Sequence, residues 1–211
     1  MKTKTIVALI AAPLVAVAAR ALMTPIYQDS ADQFDTTRYL AALTEAGTRN
    51  DAGALLATLS AMLYVASALA LAGILKSRLG TVGAALSIVG AFGLAAHAVF
   101  VLMAGRLAEE SDRGAAAVLL GRIYNAPELS VFFLAVVAGA VGAVLLAIGL
   151  YRSRQVPRGA ALLWGVGGAG LMVTTQGPMV SFVAGAALLA LAGLAWVAVG
   201  TTEREPVAVS H

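Results

Sequence analysis

Residues Glu128–Leu150 read ELSVFFLAVVAGAVGAVLLAIGL, and after Glu128 the run holds no charged side chain. About 20 apolar residues in a helix cross the hydrocarbon core of a bilayer, so this stretch reads as a transmembrane helix. Five further runs of the same kind predict spans at Thr5–Met23, Ala52–Leu75, Leu79–Gly105, Gly159–Gln176 and Pro178–Gly200. Together they occupy most of the 211 residues, 60% of which are hydrophobic and 12% charged, with a mean hydropathy of +0.89. Ordinary soluble domains carry about 25% charged residues. The expected fold is therefore an all-α bundle of six transmembrane helices, forming a single membrane domain over residues 1–211.

Lys2, Lys4 and the small residues Ala16-Val17-Ala18 imitate a signal peptide. The apolar stretch reaches Met23 once Arg20 snorkels, so a retained first helix is expected. Lys2, Lys4, Lys76, Arg78, Arg152, Arg154 and Arg158 lie in the N-terminus and two short loops that contain no acid. The positive-inside rule then predicts a plasma-membrane protein with both termini and those loops cytoplasmic. The net charge of +3 is accordingly assigned to orientation, with no nucleic acid among the expected partners.

Two longer connections, 24–51 and 106–127, fall on the opposite, outer side. The first contains Ser30-Ala31-Asp32-Gln33, a capping-box pattern, and a helical stretch at 36–46 closed by Gly47. The second contains an apolar helical stretch over Gly114–Tyr124.

Residues 73–86, GILKSRLGTVGAAL, match residues 149–162, GLYRSRQVPRGAAL, at seven of fourteen positions without a gap. Both lie at a turn between two spans, which predicts a parallel duplication of the hairpins formed by spans two–three and four–five. The rows Ala135-Gly139-Ala143 and Ala161-Gly165-Ala169 are expected to pack helices closely. Trp164 and Trp196 are expected in an interfacial belt.

Cysteine is absent and the histidines are His97 and His211, so no cofactor or metal site is expected. No soluble-enzyme nucleophile or phosphate-loop motif occurs. Polar groups at membrane depth then become the candidates, and they gather in the outer half. Glu128 follows Pro127 at a helix start and reads either as a buried general acid or as an interfacial cap; Asp51 shares that ambiguity. His97 and Asn125 are candidates to set the proton. Tyr124, Phe132, Phe100 and Phe182 are candidates to contact an apolar ligand, with Gln176 and Arg20 as polar neighbours.

The six spans, the acidic first outer loop and the turn Arg152-Ser153-Arg154-Gln155-Val156-Pro157-Arg158-Gly159 resemble small actinobacterial membrane proteins of unknown function. The size and the outer acid also resemble bacterial integral membrane terpene cyclases of natural-product biosynthesis. That resemblance implies metal-independent, proton-initiated, class II-like cyclisation of a lipophilic isoprenoid, with Glu128 or Asp51 as the acid. The alternative reading is a non-enzymatic membrane protein that binds a lipophilic small molecule or acts as an accessory or resistance subunit.

Overall fold

The helices over Thr36–Ala46, Arg78–Ala108 and Arg113–Tyr124 begin at side chains that satisfy free backbone amides of the first turn. In the computed structural model, residues 3–23, 35–174 and 179–202 are described, with side chains over 9–23, 35–174 and 181–195. The capping-box residues Ser30–Gln33, Gln176 and the side chain of Trp196 lie outside the described residues.

Helix α1 is Thr3–Leu22, α2 Thr36–Ala46, α3 Thr48–Leu75, α4 Arg78–Ala108 and α5 Arg113–Tyr124. A 3-10 turn at Pro127–Leu129 leads into α6, Ser130–Ser153, followed by α7, Arg158–Val173, and α8, Met179–Thr202. Asp35 starts α2 by accepting from the Thr37 and Arg38 amides at 3.0 and 3.2 Å. Gly47, at φ 50°, ends it in a left-handed conformation that favours glycine and returns its N–H to the Leu43 carbonyl at 3.0 Å. Ser77 caps α4 through the Gly80 amide at 3.1 Å, and Asp112 caps α5 through the Ala115 amide at 2.9 Å.

Among the described residues all regular structure is helical. Three helices are long and apolar enough to cross a membrane: Thr48–Leu75, Arg78–Ala108 and Pro127–Ser153. Shorter apolar stretches cover Leu9–Leu22, Arg158–Val173 and Ser181–Ala195. Large apolar side chains such as Leu55, Met62, Phe92, Phe133 and Val166 face outward, as lipid-facing helices require and soluble ones avoid.

The long helices form a ring in which α1 packs on α3, α3 on α4, α4 on α6, α6 on α7, α7 on α8, and α8 back on α1. Helices α2 and α5 pack on each other and on α4 at one end. The turns bearing Lys76, Arg78, Arg152, Arg154 and Arg158 lie at the other. Inside the ring, Tyr64 of α3 stacks on Trp164 of α7 at 5.9 Å, surrounded by Leu71, Leu146 and Leu189. Trp164 is therefore buried inside the bundle and does not face outward as a belt residue would.

The α4–α6 seam brings backbone close against backbone. A Cβ on Gly139 would stand 2.7 Å from Gly90 Cα, and one on Gly83 would stand 2.9 Å from the Leu146 nitrogen. With lipid offering no hydrophobic drive between helices, such approach gives dispersion contact instead. The row Ala135-Gly139-Ala143 is shared between two seams: Gly139 meets α4, whereas Ala143 meets Gly168 of α7.

The ungapped repeat register differs from the packing register. Gly83 is buried where Gly159 is exposed, and Ala85 is exposed where Ala161 is buried. Pro157 stands as the N-cap of α7, so the second turn occupies residues 154–157 while the first needs only 76–77. The left-handed residues are correspondingly Lys76 and Arg154, which are not partners in the ungapped alignment.

Candidate functional site

A cavity of about 430 Å³ lies at the end of the bundle that carries α2 and α5. Its form follows from the connection between α5 and α6. Asn125 closes α5 by donating its side-chain amide to the Gly121 carbonyl at 2.8 Å. Ala126, preceding proline, is extended at φ −69° and ψ 126°, and Pro127 then opens the 3-10 turn. This detour holds Tyr124 and Asn125 over the beginning of α6 rather than letting one helix run into the next.

Four elements line the space. Helix α4 contributes Gly93, His97 and Phe100, one face at helical spacing. The connection contributes Tyr124, Asn125, Pro127 and Leu129, and α6 contributes Ser130, Phe132, Phe133, Val136 and Val137. Met172 and Val173 close it from the end of α7. The Tyr124 ring tilts at 57° against Phe100 with centroids 6.1 Å apart, an edge-on pairing that rings favour. Half-burial of Tyr124 pushes its phenol above the usual tyrosine range by desolvation.

Of the candidate residues, His97, Asn125, Tyr124, Phe100 and Phe132 line this one cavity. Glu128 does not. It is exposed on the 3-10 turn and does not line the cavity, although Pro127 and Leu129 on either side do. Where an α-helical start at Pro127 is expected, the chain forms a 3-10 turn, and Glu128 is exposed on it.

Asp51 is also elsewhere. Its Oδ2 accepts from Arg106 Nη2 at 2.7 Å, joining the start of α3 to the end of α4, and Arg106 Nη1 donates to Glu109 Oε1 at 3.1 Å. Arg20 is buried in α1 with its guanidinium over the Phe182 ring at 5.6 Å, so Phe182 serves Arg20 rather than the cavity.

Among the described lining residues there is no carboxylate, and among the described residues no group of three His, Cys, Asp or Glu is placed to hold a metal. Sequence reasoning missed Ser130, Phe133, Val136, Val137, Met172 and Val173. The adjacent Phe132-Phe133 pair beside Pro127 was the available signal. Asn50, one of the polar groups expected in the outer half, is 1% exposed with neither side-chain amide atom hydrogen-bonded.

Comparison with protein-family models, with curated proteins and with solved structures finds no match.

Proposed function

We propose that the chain is a six-span membrane protein that binds a lipophilic small molecule in the cavity bounded by α4, the 124–130 connection, α6 and α7. The observation that carries this reading is the cavity itself. Its volume of about 430 Å³ falls within the roughly 300–1,000 Å³ of small-molecule sites, and its lining is mostly apolar and aromatic with a few polar groups. The spans are α1, α3, α4, α6, α7 and α8, with both termini cytoplasmic and the cavity in the outer half, a topology supported by the acid-free basic turns. The hairpins α3–α4 and α6–α7 follow one another around the ring in the same sense. Their duplication is read as rotation about the ring axis with a slip of register at the longer second turn.

Proton-initiated cyclisation of an isoprenoid is less well supported than binding. Its acid has to meet the ligand, and Glu128 is exposed while Asp51 is paired with Arg106. The titratable groups among the described lining residues are the His97 imidazole and the Tyr124 phenol. Both are far weaker acids than a carboxylic acid for protonating an alkene.

The test is thermal unfolding of the protein in lipid nanodiscs with increasing farnesol. A ligand that binds the folded state at about 100 times its Kd stabilises by roughly 2.7 kcal/mol. The expected result is a rise in Tm that saturates for the wild type and is absent in Ala96→Trp, which fills the cavity. The lipid-facing variant Val141→Trp keeps the rise. An equal rise in all three proteins would reduce the effect to a change in the bilayer and overturn the reading. Analysis of the recovered farnesol for isomeric products of unchanged mass tests cyclisation in the same samples.

A further inference from the structure

The cavity has a polarity gradient along the bundle. Tyr124, Asn125 and Ser130 stand at the end nearest α5, His97 lies about one helical turn deeper than Phe100, and Gly93, Val136, Val137 and Met172 form the far end. The floor is the α4–α6 seam, where Met172 Sδ would stand 3.3 Å from a Cβ on Gly139. Polar groups among the described lining residues are thus confined to one end and the middle, and the far end is lined by apolar residues.

The side of the cavity is open. Phe133 is 69% exposed and Val173 70% exposed, yet both also line the space. Val131, Phe132, Phe133 and Leu134 are exposed in succession, so the first turns of α6 stand with lipid on more than one side. In a membrane-spanning chain this flank meets acyl chains, and material in the bilayer reaches the cavity without crossing water.

Among the described lining residues none carries a formal charge at neutral pH with histidine neutral. The polar groups at the end nearest α5 are the phenol of Tyr124, the hydroxyl of Ser130 and the side-chain amide of Asn125, whose nitrogen also donates to the Gly121 carbonyl. These exchange hydrogen bonds with a hydroxyl or carbonyl, whereas no described lining side chain offers an ionic head a counter-charge.

Taking the binding reading as its basis, we infer that the occupant is an uncharged amphiphile, such as a long-chain alcohol, drawn sideways from the bilayer. Its hydroxyl or carbonyl head lies at the 124–130 connection and its chain points down to the Gly93–Val137–Met172 floor.

The experiment uses the full chain in nanodiscs with two photoreactive farnesol analogues, one bearing a diazirine beside the hydroxyl and the other at the chain end. Peptide mapping after irradiation is expected to place the first adduct within residues 124–130 and the second on 93–94, 136–137 or 172. Unmodified farnesol is expected to suppress both adducts at about one-tenth the concentration needed for farnesoic acid or farnesylamine. Adducts in the reversed order, or suppression by either charged analogue as effective as by farnesol, overturn this inference while leaving the cavity a binding site. Cavity adducts that persist unchanged in Ala96→Trp, or adducts found only on lipid-facing residues such as Val141, overturn the binding reading itself.

Discussion

Arg106 near the end of α4 reaches Asp51 in the first turn of α3 at 2.7 Å, bridging two helices at the end covered by α2 and α5. The guanidinium also meets Glu109 at 3.1 Å, so it is shared between the two carboxylates. Arg106 is largely exposed, and water and salt weaken such pairs. Asp51→Asn is therefore expected to lower Tm slightly at low ionic strength, with the difference vanishing in high salt. Farnesol binding is expected to stay unchanged, because the pair lies outside the cavity. Loss of binding in this variant would return Asp51 to the site.

Glu128 is expected to behave in the same way for a different reason. It is exposed on the 3-10 turn, so Glu128→Gln is expected to leave both Tm and ligand affinity at wild-type values. A titration showing weaker farnesol binding in this variant would contradict the placement of the side chain outside the cavity.

The α4–α6 seam makes a sharper demand. A Cβ at residue 139 meets backbone at 2.7 Å, and backbone cannot swing aside as a flexible side chain can. Gly139→Ala is expected to destabilise by roughly 1–3 kcal/mol, the usual cost of overpacking. Gly73 has nothing within 4 Å of its would-be Cβ. Gly73→Ala is then expected to be neutral or to stabilise by about 0.5–1 kcal/mol through helix propensity. Unfolding of the two variants in denaturing detergent distinguishes them, and equal effects would rule out the close approach.

Asn50 gives the opposite sign. Its buried amide makes no hydrogen bond, and an unsatisfied buried polar group costs about 1–3 kcal/mol. Asn50→Leu, similar in size and without polar atoms, is expected to be neutral or stabilising in the same assay. A large loss of stability would show that the amide is held by a bridging water or another polar partner.

Topology is checked with introduced thiols, since the chain has no cysteine. An impermeant maleimide is expected to label Glu110→Cys on intact cells and to label Gln155→Cys only after permeabilisation. The reverse pattern would invert the protein in the membrane.

The helices were legible because their causes are local. Apolar runs mark the long helices, and Gly47 marks the end of α2 as expected from its position after the 36–46 stretch. The site was legible in part for the same reason: His97 and Phe100 share a helix face by spacing, and Tyr124 and Asn125 sit at a helix end beside proline. What stayed hidden depends on partners distant in sequence. The pairing of Tyr64 with Trp164 spans the ring, and Gly139 finds Gly90 rather than continuing one seam with Ala143. Glu128 turned on a subtler difference. It stands on a 3-10 turn that precedes α6, not in the first turn of the helix itself, and it is exposed there.

The central claim is that the cavity holds a lipophilic ligand, and equilibrium binding of tritiated farnesol to the protein in nanodiscs tests it most directly. Protein-free nanodiscs give the partitioning background to subtract. The account predicts a saturable component of one ligand per chain in the wild type and in Val141→Trp, lost in Ala96→Trp. Linear uptake with no saturable component, or an identical saturable component in Ala96→Trp, would contradict it.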